Sequence, residues 1–293
     1  MIKPLLVSLR PAQWTKNAFV LAPLVFAHRL TDRPSLALAL LAFACFCCAA
    51  SAVYLLNDLR DREQDRRHPL KRKRPLAAGT LAVPVALGAA VALAGAAIAA
   101  AVRLGPTFAG ILAGYLLLNV AYSMGLKNVV ILDVMAIAMG FVLRVLAGAV
   151  AIQVSVSSWL LLCTIFLALF LAFSKRRHEL MLLAGDAAEQ RAVLSHYSPT
   201  FLDQMINVVT ASSVIAYALY AVAPETVAKY HTEKLVYTVP MVLFGIFRYL
   251  YLIYQRPGER NPTEGILKDV PFLLNVVIWG LAVLWVVYGG AGQ

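Results

Sequence analysis

Three aspartates, Asp58, Asp61 and Asp65, punctuate the nine-residue stretch Asn57-Asp-Leu-Arg-Asp-Arg-Glu-Gln-Asp65, directly after an uncharged apolar run from Ser35 to Leu56. A helix turns about 100° per residue, so on a continuous helix the three carboxylates fall within an arc of roughly 60°, while Glu63 points elsewhere. Like charges held that close disfavour one another unless cations intervene, and hard divalent ions such as Mg²⁺ take oxygen ligands and commonly bridge to substrate phosphates. A basic run follows at once, His68-Pro-Leu-Lys-Arg-Lys-Arg-Pro75, with Lys71, Arg72 and Arg74 as candidate phosphate ligands. The alternative is a solvated helix end that merely follows charge rules, and the stacked spacing with cations behind it weighs against that.

A second charged block, Ser174-Lys-Arg-Arg-His-Glu-Leu180, lies further along the chain. Lys175 and Glu179 are four apart, so they form either a plain intrahelical ion pair or part of a site. In the second case Lys175 and Arg176 face phosphate oxygens and Glu179 orients a hydroxyl or a metal-bound water. Asp133 and Arg144 sit inside one apolar run, about three helical turns apart and on nearly the same stripe. Ionisable groups in a membrane segment usually face a polar interior, so this stripe is expected to line a cavity, although Asp133 could be interfacial. Gly140, Ala147 and Gly148 beside them permit close helix packing. Near the N-terminus, Arg10, Gln13, Lys16 and Asn17 recur at helical spacings; with Trp14 they either anchor an interfacial helix or line an inner phosphate site. Tyr122, Lys127 and Asn128 mark the inner end of the fourth apolar run, and Arg248, Tyr249, Lys268 and Asp269 are secondary candidates.

The elements that must position these groups follow from composition. Of 293 residues, 61% are hydrophobic and only 14% charged, and the mean hydropathy is +0.76. Soluble domains carry about 25% charged residues and no serial runs of spanning length. The expected fold class is therefore an all-α membrane protein, one polytopic domain over residues 1–293. An interfacial helix occupies 1–17, and charged loops lie at 57–79 and 175–191. Nine spans are expected, at Phe19–Ala27, Ser35–Leu56, Leu81–Val102, Thr107–Met124, Val129–Ile152, Trp159–Ser174, Phe201–Val222, Val236–Tyr254 and Val270–Tyr288. With the N-terminus inside, nineteen Lys and Arg fall in inner loops against five outside. The positive-inside rule then puts the N-terminus and both charged loops in the cytoplasm, in a multi-pass protein of the inner cell membrane.

The net charge of +11 resides in short loops between apolar runs. It reads as membrane topology and anionic ligands, with no nucleic-acid partner. Cys45, Cys47, Cys48 and Cys163 all lie in apolar segments and suggest neither zinc nor disulfides. No secretory signal is expected in Met1–Asn17. A transporter would place its polar groups near the bilayer midplane, with repeats in the hydropathy. Here the charges gather toward one end of the spans, which suits an enzyme joining a soluble phosphorylated substrate to a lipid; transport stays as the alternative.

Asn57-Asp58-x-x-Asp61-x-x-x-Asp65 resembles the NDxxDxxxD motif of the UbiA superfamily of intramembrane prenyltransferases. That resemblance implies a nine-transmembrane-helix bundle with a cytoplasmic-facing active-site cavity, and a Mg²⁺–diphosphate site on Asp58, Asp61 and Asp65 with Asn57 beside them. Arg10-Pro-Ala-Gln-Trp-Thr-Lys-Asn17, Ser51-Ala-Val-Tyr-Leu-Leu-Asn-Asp58, His68 to Gly79, Tyr122-Ser-Met-Gly-Leu-Lys127 and Ser174 to Leu180 resemble one branch, the decaprenyl-phosphate phosphoribosyltransferases. Ordinary family members carry a second aspartate-rich motif after span six. This chain has Lys175-Arg-Arg-His-Glu179 there, with Asp186 and Glu189 too far along, and Arg177-His178 departs from the Tyr-Ala of the branch.

The branch implies Mg²⁺-dependent transfer of a 5-phosphoribosyl group from phosphoribosyl diphosphate to a polyprenyl phosphate, in cell-wall arabinan synthesis. Lys71, Arg72 and Arg74 are then expected at the diphosphate, Lys127 and Arg144 at the acceptor phosphate, and Lys175 and Arg176 at the 5-phosphate. Lys16, Tyr122 and Glu179 complete the substrate-binding set. Membrane lipids are the surrounding partner, and association into homo-oligomers is left open. The alternative within the family is prenyl transfer from a prenyl diphosphate to an aromatic or other small acceptor.

Overall fold

The computed structural model describes residues 2–67, 71–182, 192–255 and 268–289, and every regular element among them is helical. Helix α1 is Ile2–Leu9, followed by a 3-10 segment Pro11–Leu21 and a short α2, Ala22–Phe26. Then come α3 (Arg33–Arg60), α4 (Arg62–Arg67), α5 (Val83–Arg103), α6 (Pro106–Met124) and α7 (Leu132–Ala151). The remainder is α8 (Ser158–Leu182), α9 (Pro199–Val222), α10 (Pro224–Tyr230), α11 (Val239–Gln255) and α12 (Val270–Gly289).

Eight of these helices, among the described residues, are long and apolar enough to cross a membrane. The protein is a multi-pass membrane protein. The expected first span at Phe19–Ala27 is instead the composite of the 3-10 segment and α2. Its 3-10 part rises about 2.0 Å per residue and its α part about 1.5 Å, so the sixteen residues Pro11–Phe26 cover roughly 30 Å despite their number. A count of nine is reached only by including this segment.

Local chemistry sets the helix starts. Asp32 caps α3, its carboxylate accepting from the Ser35 N–H at 3.2 Å and the Ser35 hydroxyl at 2.5 Å, with Pro34 in the first turn. Ser198 caps α9 in the same way, ahead of Pro199. Proline also opens α5 and α6, where its missing N–H costs no helical bond.

The chain forms two compact units, and the break between them falls inside α7. The first comprises Met1–Lys127 and Gly140–Val156. In it α3 packs along α5, and small residues fill the core they share: Ala42 and Ala49 on α3, Ala97 and Ala101 on α5. Where lipid offers no hydrophobic contrast, such residues let backbones approach and gain dispersion. Residues three apart eclipse on a 3-10 helix, so Trp14, Asn17 and Val20 form one row against this core. Trp14 Nε1 donates to Ser51 Oγ at 3.1 Å, Asn17 Nδ2 to Cys47 Sγ at 3.3 Å, and Val20 is wholly buried. The second unit comprises Asn128–Met139 and Ser157–Gln293. It is built on the packing of α8 against α9, with Phe170 against Tyr249 and a polar link from Trp279 Nε1 through Tyr217 to Thr238.

Gly148 bears out the expectation of close packing. A Cβ there would lie 1.9 Å from the Val20 carbonyl oxygen, so the 3-10 segment sits directly on the α7 backbone. Gly148→Ala is expected to cost about 1–3 kcal/mol by overpacking and to lower the melting temperature in detergent. Gly88→Ala, with nothing within 4 Å of its added carbon, should leave melting unchanged or raise it slightly.

Candidate active site

Helix α3 runs one turn beyond the expected end at Leu56, and this extension carries Asn57 and Asp58. At Asp61 the helix ends (φ −87°, ψ 7°), and α4 resumes with Asp65. The Asp61 N–H still donates to the Asn57 carbonyl at 2.9 Å, and the Asp65 N–H to the Asp61 carbonyl at 2.8 Å, so the chain bends without losing its bonding. The interruption separates the carboxylates. Asp58 and Asp65 are buried and converge on a single nitrogen, Arg74 Nη1, at 3.1 Å and 2.7 Å. Asp61 is a third exposed and faces Lys127 Nζ at 3.8 Å. The expected common face of three carboxylates is thus a pair plus one. Asn57 Oδ1 accepts from Ser123 Oγ at 2.7 Å, which ties this end of α3 to α6.

Arg74 is held in place by the loop that bears it. Leu76 and Leu81 are buried with Leu55, Ala86 and Ala90, and Arg66 Nε donates to the Ala77 carbonyl at 3.2 Å. Lys71 and Arg72 lie on a short 3-10 turn, Lys71–Lys73, with Arg72 exposed; His68–Leu70 fall outside the described residues.

The N-terminal segment supplies a further cation, Arg10. Arg10 adopts a left-handed conformation (φ 53°, ψ 60°), uncommon for a residue with a Cβ, and this turns its side chain back toward α3. There Nη2 donates to Asp58 Oδ1 at 2.5 Å, and the guanidinium lies over the Tyr54 ring at 5.0 Å. Ser51 Oγ donates to the Leu9 carbonyl at 3.0 Å and fixes the turn. The spacing of Arg10 with Lys16 signalled an inner phosphate site; its partner Asp58 could not be read from that spacing. Lys16 and Tyr122 are half-buried in this same unit.

Among the described residues no three His, Cys, Asp or Glu side chains group closely enough to hold a metal ion. The donor chemistry nevertheless fits Mg²⁺: two carboxylates aimed at one cationic atom, a third one helical turn away, oxygen ligands throughout.

Arg144 departs from its expected role. Its Nε donates to Asn17 Oδ1 at 2.8 Å, Nη1 to the Gly140 carbonyl at 2.8 Å, and Nη2 to the Tyr115 hydroxyl at 3.0 Å. The Phe46, Tyr115 and Phe141 rings surround it within 6.0 Å. The guanidinium is buried and engaged on three sides, which makes it a clamp of the first unit.

In the second unit Asp133 is fully buried. Its Oδ2 accepts from Arg176 Nε at 2.6 Å and its Oδ1 from the Tyr197 hydroxyl at 2.7 Å. That hydroxyl accepts from the Ile131 N–H at 2.8 Å, and burial pushes its pKa up to about 12, so Tyr197 stays a donor. Arg176, itself buried, also reaches Glu179 Oε2 at 2.5 Å, and Lys175 Nζ lies 3.7 Å from Glu179 Oε1. The intrahelical pair is therefore present. Arg176 is a counter-ion for Asp133 and not an exposed phosphate ligand; Lys175 is exposed. Arg177 pairs with Asp203 and stacks 3.9 Å from the Tyr254 ring centroid, contacts that no local spacing signalled. Asp186, Glu189 and Arg191 lie outside the described residues.

The profile of the UbiA prenyltransferase family matches residues 18–265. A decaprenyl-phosphate phosphoribosyltransferase of Corynebacterium glutamicum is 35% identical over 291 residues, covering 96% of this chain and 86% of that protein. One from Mycolicibacterium smegmatis is 34% identical over 288 residues, covering 95% of this chain and 91% of that protein. Among solved structures, a UbiA homolog from Archaeoglobus fulgidus bound to GPP and Mg²⁺ has a TM-score of 0.71 at 20% identity, covering 98% of both chains. This last likeness is one of fold.

Removing Arg176 leaves Asp133 buried without its cation, a loss of about 3–5 kcal/mol. Arg176→Leu is expected to lower the melting temperature in detergent sharply, whereas Lys175→Gln at the exposed neighbour should leave it close to the parent.

Proposed function

The chain belongs to the UbiA prenyltransferase family and is a membrane-embedded transferase, and from that premise we propose that its donor is phosphoribosyl diphosphate and its acceptor a polyprenyl phosphate. The observation that carries this reading is the asymmetry of charge. One unit has three aspartates on one stretch of chain with cations around them; the charged end of α8 itself bears three cations and one acid, Glu179, while Asp133 and Asp203 from other elements answer Arg176 and Arg177. A prenyl diphosphate donor would call for carboxylates at both places. A donor bearing a diphosphate and a separate 5-phosphate, joined to an acceptor that is itself an anion, calls for more cations. Relatives of that name, similar over nearly their whole length, support the same reading.

In this reading Asp58 and Asp65, with Asp61 beside them, hold Mg²⁺, which neutralises charge on the leaving diphosphate. Lys71, Arg72 and Arg74 face the diphosphate and keep it in place as the bond from ribose C1 to its oxygen breaks, the electron pair leaving with the diphosphate. An oxygen of the lipid phosphate forms the new bond to C1 from the opposite side. Little proton transfer is required, because the acceptor is already ionised. Asn57, held by Ser123, orients the donor, and Lys16, Tyr122 and Lys127 approach the acceptor phosphate. The active site faces the cytoplasm of a cell whose arabinan precursor starts with this lipid product.

A second reading, prenyl transfer from a prenyl diphosphate to an aromatic acceptor, has one observation in its favour: the solved fold neighbour holds GPP and Mg²⁺. Purified protein given radiolabelled phosphoribosyl diphosphate with polyprenyl phosphate should form labelled lipid, and given prenyl diphosphate with 4-hydroxybenzoate should form none. Product only from the second pair reverses the assignment. With the first pair, Asp58→Asn and Asp61→Asn are each expected to reduce turnover about 100-fold or more in protein that melts normally. Near-normal turnover in either would remove that residue from the metal site.

A further inference from the structure

We propose that Arg74 and Arg10 are exchangeable counter-ions, which hold the aspartates until a divalent ion arrives and then transfer to the donor's diphosphate. The proposal rests on the reading that this unit binds a metal diphosphate. Three cations stand against three carboxylates: Arg10 on Asp58 at 2.5 Å, Arg74 on Asp58 and Asp65 at 3.1 Å and 2.7 Å, and Lys127 on Asp61 at 3.8 Å. Without any ligand the cluster is already neutral.

Burial is uneven in the pairs of Asp58 and Asp65, whereas Lys127 and Asp61 are alike at 30% and 32% exposed. The side chains of Asp58 and Asp65 are 3% exposed, whereas those of Arg10, Arg74 and Lys127 are 29–30% exposed. The acids are fixed from behind, and the cations lie on the side that a solute can reach. Long flexible side chains there can turn away, but two buried carboxylates left without positive charge are strongly disfavoured. Departure of Arg74 therefore requires another cation in its place. A divalent ion with ligand distances of about 2.0–2.1 Å competes for the oxygens that Arg74 now holds. Once displaced, Arg74 and Arg10 lie beside the metal, where a diphosphate brings matching negative charge.

The exchange has a signature of opposite signs. Arg74→Gln removes a competitor from the carboxylates, so Mn²⁺ alone should bind roughly threefold to tenfold tighter than to the parent. Inorganic diphosphate, titrated at saturating Mn²⁺, should bind several-fold more weakly. A residue that only supports the fold would weaken both, and a simple phosphate ligand would weaken the second alone. Mn²⁺ binding is read from the free-ion electron paramagnetic resonance signal in detergent, and diphosphate binding by calorimetry. The exposed Arg67→Gln should change neither.

Unchanged or weaker Mn²⁺ binding in Arg74→Gln of normal melting overturns the proposal. If that variant melts early, Arg10→Gln, which leaves Arg74 in place, is judged by the same two signs. Inorganic diphosphate is the leaving group of either donor. A wrong donor assignment therefore appears only in the labelled-substrate assay, and a failed exchange only in these titrations.

Discussion

Asp58 and Asp65 are withdrawn from water beside one another, and neither can keep its charge there without a cation within bonding distance. Much of the first unit's architecture answers that requirement. The extra turn of α3 presents Asp58, the bend at Asp61 brings Asp65 round, and the loop buried through Leu76 and Ala77 delivers Arg74 to both. The left-handed turn at Arg10 adds a second guanidinium, held by the Trp14–Ser51–Leu9 chain of bonds.

The protein meets the same problem differently elsewhere. Asp133 and Arg176, both buried in the second unit, neutralise each other directly, and Tyr197 fills the remaining carboxylate oxygen. Such a pair is hard to disturb, because removal of either partner strands the other charge. Arg144 has no carboxylate at all. Neutral oxygens of Asn17, Gly140 and Tyr115, with three aromatic faces, hold it instead, as the quadrupole of a ring can hold a guanidinium. Of these three arrangements, the Asp58–Asp65 cluster keeps its cations within reach of a solute, whereas Arg176 and Arg144 are buried.

Much of this could be read along the chain. Apolar runs located the long helices, and the aspartate spacing with its basic continuation located the cluster that Arg74 completes. What escaped was whatever depended on distant pairing. Asp133 and Arg144 looked like one stripe because periodicity orders residues along a helix, yet it says nothing of which neighbour each charge will meet. Arg176 resembled a phosphate ligand for the same reason; its partner lies forty-three residues away. The segment Pro11–Leu21 misled in another way, since its polar spacing suited an α-helix and the 3-10 geometry sorts it into rows of three instead. That change of period buries Asn17 and Val20.

The central claim is that the Asp58–Asp65 carboxylates hold a divalent ion against the donor's diphosphate. Electron–nuclear double resonance on the Mn²⁺-loaded protein with phosphoribosyl diphosphate reads that contact directly, through the coupling between the metal and phosphorus. The account predicts a phosphorus coupling that appears on adding the donor and is lost in Asp58→Asn and Asp65→Asn. Bound Mn²⁺ with no phosphorus coupling, or a coupling that survives both substitutions, would contradict it.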